Sequence, residues 1–148
     1  MTTPEDPPLA REIRQCTLCA PRFAATATRH PPRPIAWFRP GARVMIVSQA
    51  PGNKVQQAGR PFWDASGNRL RDWLGLDRRA FYDQKGLMGP PARAGVTATV
   101  TAWRDHAPGL FPLPHPSWRN TAWLKRNPWF TAELLPALRA RVQEVMEP

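Results

Sequence analysis

Hydrophobic and polar positions change rhythm sharply between Arg43 and Leu74. Val44-Met45-Ile46-Val47 is a short apolar run, with Gly41 before it and Pro51-Gly52 after it. A run of that length closed by breakers predicts a buried strand. The chain then turns at Gln49-Ala50-Pro51-Gly52 and passes through a polar loop. At Ser66-Gly67 a helical period begins, with Leu70, Trp73 and Leu74 on one face. Strand, tight loop and helix predict an α/β fold, which binds ligands at the carboxyl ends of its strands. Gln49 stands at that position.

The remaining pattern is less regular. Leu9, Ile13, Cys16 and Leu18 give a weak helical signal after a polar, Pro-rich start that is expected to fray over residues 1–8. Pro21, Pro31, Pro32, Pro34 and Pro40 predict an extended arm over 20–42, which Ile35, Trp37 and Phe38 could pack on the core. Asp77 to Tyr82 brings Phe81 and Tyr82 over the end of the central helix. Gly86 to Gly95 is a breaker-rich loop. Val96 to His106 alternates like a strand, but Val96, Val100 and Trp103 also fit a helical stripe, and helix is the preferred reading. Phe111 to Pro114 is extended. Thr131 to Val145 carries Leu134, Leu135, Leu138, Val142 and Val145 on one stripe, with Thr131 as the expected N-cap and packing as its expected role.

Composition narrows the function classes. One domain is the simplest reading of 148 residues, and 42% hydrophobic content argues against wholesale disorder. Lys and Arg number 21 against 11 Asp and Glu, a net charge of +10. That excess suits a polyanion, since each neutralised phosphate releases condensed counterions, although arginines spread over solvated faces would give the same total. No apolar run is long enough to span a bilayer, and no signal-peptide pattern opens the chain, so a cytoplasmic location is expected.

Three constellations could carry chemistry. The first joins Gln49-Ala50-Pro51-Gly52 to Gly59-Arg60-Pro61-Phe62. Its glycines let backbone approach a ligand, and Phe62 offers a face on which a base could stack. The competing reading is an ordinary turn with Phe62 in the core. The second is His115-Pro116-Ser117 with Trp118, Arg119 and Asn120. There a loop histidine is open to acid–base work and the cations to phosphates, although a lone histidine is more often structural. The third is Asp64 near Ser66, read as a helix cap in preference to a base. Cys16 and Cys19 form a CxxC pair, half of a tetrahedral thiolate site. His30 has little claim to be a third ligand.

SQAPG at 48–52, GRPF at 59–62 and HPS at 115–117, in that order, resemble the uracil-DNA glycosylase superfamily. The branch most similar holds the thermostable iron–sulfur (family 4) enzymes and their smaller bacterial relatives. The resemblance runs from Ile13 to Val145. It implies a three-layer α/β/α domain with a short, abbreviated parallel sheet. It also implies hydrolysis of the N-glycosidic bond of deoxyuridine in DNA, the first step of base-excision repair, by a monomer. Gln49 and Ala50 would line the uracil pocket beside Gly52, and Phe62 would stack on the flipped base. His115 would stabilise charge developing on the uracil O2. Ser117, Arg119 and Asn120 would enter the minor groove. Ser48 departs from the family's usual glycine. The family also carries a further strand, a uracil-reading motif and two more cysteines between its first helix and the HPS loop. Here a short link near 86–96 stands in place of a βα unit of about 30 residues. Cys16 and Cys19 would then be half of a cluster site, and the iron–sulfur cluster of full-length relatives is expected to be absent. The alternative is a catalytically impaired DNA-binding remnant.

Overall fold

The computed structural model describes residues 8–37, 42–48, 51–83 and 96–147. Its helices are α1 (Pro8–Gln15), α2 (Ala20–Ala24), α3 (Asn53–Ala58), α4 (Ala65–Leu74), α5 (Arg78–Asp83), α6 (Val96–Thr101), α7 (Thr121–Arg126) and α8 (Leu135–Met146). Short 3-10 turns cover Ala102–Asp105 and Trp118–Asn120, and a π-turn over Phe130–Leu134 leads into α8.

The centre is the packing of α4 on α8. Asp64 caps α4 by accepting from the Gly67 N–H at 3.0 Å, and Gly75 closes it in the left-handed region. Between those stops, Leu70, Trp73 and Leu74 are buried against Leu134, Leu135, Leu138 and Val142, as both stripes predict. Phe130 is wholly buried and meets Trp73 edge to face at 5.0 Å. Arg139 of α8 reaches back to the C-terminal carbonyls of α4, those of Asp72 at 2.8 Å and Trp73 at 3.2 Å. This satisfies acceptors that the helix itself leaves open. Val100 and Trp103 face the same core, so the helical reading of Val96 to His106 holds through Thr101 and then tightens to 3-10.

The three-layer α/β/α expectation is overturned. Among the described residues there is no β-strand and no sheet; Trp37 makes one isolated bridge. Val44 to Ser48 runs without a ladder, with Met45 66% exposed, and only Ile46 of the run packs on the core. A strand is stable only with a neighbour, because its backbone groups pair between segments. The stretch from Val96 to His106, which also alternates, spends its backbone bonds within helical turns, so among the described residues the apolar run has no strand to pair with.

Two smaller corrections follow the same logic. The proline-rich arm begins with α2, because Pro21 sits in the first turn, where the missing N–H costs nothing. The last helical stretch begins at Pro128, directly after Asn127, so Thr131 lies inside it and not at its cap. Among the described residues no helix is long and apolar enough to cross a membrane.

Candidate functional site

Phe62 is the point of tension. Its φ of +55° puts a bulky residue in the left-handed region, at a cost of about 1–2 kcal/mol. Its carbonyl is held from two directions: Arg71 donates to it at 3.3 Å and the Tyr82 hydroxyl at 3.1 Å. Tyr82 also donates to the Pro61 carbonyl at 2.9 Å. A Cβ on Gly67 would stand 1.7 Å from the Phe62 oxygen, so only glycine lets the first turn of α4 approach this closely. Arg71 is 5% exposed, its guanidinium bonded to the Asn68 carboxamide oxygen and lying over the Phe81 and Tyr82 rings. Burial raises the Tyr82 phenol above its ordinary range, against the opposing pull of Arg71, and keeps it a donor.

The Phe62 ring turns inward. It is 9% exposed and meets Phe81 edge to face at 6.1 Å.

His115 lies on a second loop, between the buried Pro114 and Pro116. Asn120 fixes that loop by donating to the His115 carbonyl at 2.7 Å. Arg69 ties it to α4, donating to the Ser117 carbonyl at 2.7 Å and to the Thr121 hydroxyl at 3.4 Å. Desolvation lowers the imidazole below its ordinary value. The carboxylate of Asp64 acts in the opposite sense, so the His115 ring and the cap of α4 share one electrostatic neighbourhood. Ser117 precedes the 3-10 turn with its carbonyl occupied. Arg119 is exposed and lies over Trp118, itself 75% exposed.

Gln49 and Ala50 lie outside the described residues, as does the link at 84–95. Gly52 caps α3 with extended backbone and open space around its Cα. The two GRPF and HPS loops therefore meet the same helix, and three residues that the motifs did not mark do the joining: Gly67, Arg69 and Arg71. Only Gly67 left a signal, a glycine in the first turn of a helix where it costs stability.

Cys16 and Cys19 are both exposed. An iron–sulfur cluster takes four thiolates, and the chain has two cysteines. Among the described residues no three His, Cys, Asp or Glu side chains converge. His30 bonds the Thr28 hydroxyl at 3.0 Å and packs on Phe23. The donor set does not fit a cluster.

Residues 35–100, the stretch that carries the SQAPG and GRPF segments and all of α4, match the family model of the Uracil DNA glycosylase superfamily.

Proposed function

We propose that the protein is a uracil-DNA glycosylase-like hydrolase that acts on deoxyuridine in DNA as a cytoplasmic monomer, and that it derives from the iron–sulfur branch with a βα unit lost near 86–96. The observation that carries the reading is the bridge made by α4. Arg71 holds the Phe62 turn, Arg69 holds the HPS loop, and Asp64 sits by charge beside His115.

In this reaction the C1′–N1 bond breaks and its electron pair passes to the uracil ring, spreading to O2, while water adds to C1′ and its proton passes through solvent to the uracil anion. His115, kept neutral by desolvation, is suited to donate an N–H to that oxygen without first losing a proton. Gln49 is a neutral side chain that orients the water but is no general base. Gly52 has open space around it, Ala50 is assigned to the same pocket, and Ser117, Arg119 and Asn120 are assigned to the strand from which the base is extruded.

The inward ring of Phe62 favours a second reading. A ring 9% exposed has no free face for a base, which suits a DNA-binding relative without chemistry. Incubation with a uracil-containing single strand followed by alkali separates the two. Strand breaks that vanish in His115→Ala support the hydrolase. DNA binding with steep salt dependence but no breaks supports the binding protein. Absence of both removes both.

A further inference from the structure

Beside the Phe62 turn, arginines and aromatic rings interleave on the surface. Arg78 lies 4.5 Å from the centroid of the Trp63 ring and Arg60 5.2 Å from it. Tyr82 stands 5.5 Å from Trp63, and Trp37 follows 5.9 Å beyond Tyr82. Trp37 also walls an open depression of about 110 Å³ whose lining includes Arg33, Pro34 and Gly59. That is the volume of several waters, ample for a phosphate group. The rings are half-buried, whereas Arg33, Arg60 and Arg78 are exposed.

Charge gives this patch a direction. The ion pairs of the described residues join Arg104 to Glu133 and Arg141 to Glu144. Among the described residues no carboxylate pairs with Arg33, Arg60 or Arg78. The one acidic side chain described next to α5, Asp77, is occupied in accepting from the Ala80 N–H at 2.7 Å. Rings under the guanidinium groups hold them in place without neutralising them, so less entropy is lost when an anion arrives.

We propose that Arg33, Trp37, Trp63, Arg60 and Arg78 form a track for single-stranded DNA, with the depression at Trp37 taking one phosphate and the arginines at Trp63 the next. The track rests on the functional reading above in one respect, that the strand is DNA. Its position supports this, because Arg60 and Trp63 flank Pro61 and Phe62 and the Tyr82 hydroxyl is bonded to both of those carbonyls. A strand on the track thus runs directly onto the Phe62 turn. Single-stranded substrate is favoured over duplex because paired bases hide the faces that the tryptophan rings would meet.

Fluorescence anisotropy with a uracil-free single strand, titrated over salt, tests the track independently of any glycosidic cleavage. Each phosphate contact on a single strand contributes about 0.7 to the slope of log affinity against log salt. The double substitution Arg60→Gln with Arg78→Gln is expected to lower that slope by about 1.4 and weaken binding at least tenfold. Trp63→Leu, which keeps both charges, is expected to weaken binding about fivefold or more through lost stacking, worth about 1–3 kcal/mol per base. Arg104→Gln, whose charge is already paired, should bind as the unaltered protein does. The track is overturned if the unaltered protein does not bind, if the double variant keeps the full slope, if duplex binds more tightly than single strand, or if polyglutamate competes as well as DNA, which would indicate an acidic protein partner. Binding that follows these variants without uracil excision would uphold the track and remove the hydrolase reading.

Discussion

At the scale of single residues, the arrangement turns on a few contacts that no neighbour could replace. Gly67→Ala sets two effects against each other. Alanine favours the helix by about 1 kcal/mol. Its Cβ, however, would lie 1.7 Å from the Phe62 oxygen, which is backbone and pinned by Arg71 and Tyr82. Overpacking of this kind costs about 1–3 kcal/mol and often more, so steric repulsion wins. The expected outcome is net destabilisation in urea unfolding, with Phe62 leaving the left-handed region; a more stable variant would show that α4 does not press on the turn. Asp64 does two jobs that separate cleanly. As a cap it stabilises α4 by about 1 kcal/mol, and as a charge it partly restores the proton affinity of His115. Asp64→Asn keeps a capping oxygen but removes the charge. It should lower the His115 titration midpoint further, as read by NMR, with little change in stability. A midpoint that rises or stays would remove Asp64 from the neighbourhood of His115.

Among the elements, α4 is the one that the pattern of the chain revealed and also the one whose work it concealed. Leu70, Trp73 and Leu74 announced its buried face, and the stripe of α8 announced the surface that receives it. Arginine at 69 and 71 reads as solvent-facing on any polarity scale. Arg71 is nevertheless buried, because Gly67 one turn earlier lets the chain return close enough for its guanidinium to be satisfied by a carbonyl, a carboxamide and two rings. Such a destination is set by a loop distant in space and leaves no periodic trace. The apolar run at 44–47 failed for a related reason: an apolar run does not supply another strand to pair with it, and here only Ile46 of the run packs on the core. The candidate site was legible in its motifs, GRPF and HPS, but not in what joins them. Arg69→Met retains most of the stem and removes the charged bond to the Ser117 carbonyl, worth about 1.5–3 kcal/mol when well formed and less here, since Arg69 is only half-buried. The 3-10 turn that begins at Trp118 should then exchange its amide hydrogens faster, that of Asn120 above all, while the core of α4 and α8 keeps its protection. Equal loss of protection in both would show one cooperative unit with no separate loop.

For the molecule as a whole, aromatic packing and proton linkage set the limits. Phe130 is enclosed by Trp73 at 5.0 Å, Trp123 at 5.8 Å and Trp129 at 6.4 Å, all edge to face. Phe130→Ala should cost about 3–5 kcal/mol, a large share of the 5–15 kcal/mol typical of a domain, and leave much of the population unfolded on warming. The acid response is subtler and follows from His115. Its pKa in the folded protein lies below the ordinary 6.5, so between those two values the unfolded chain binds the proton and the folded chain does not. Stability therefore rises with pH across that window, and it is lost as pH falls from about 6.5 through the folded value. Because His115 is only partly buried, solvent screening keeps the effect small. The sign still distinguishes it. His115→Gln has no proton to bind in either state, so its urea midpoint should fall less between about pH 7 and about pH 5.5 than that of the unaltered protein. The net charge of +10 imposes an acid sensitivity of its own, but it is common to both proteins and cancels in the comparison. If the two midpoints fall in parallel, desolvation does not hold His115 neutral, and the donor assigned to the uracil oxygen loses its physical basis.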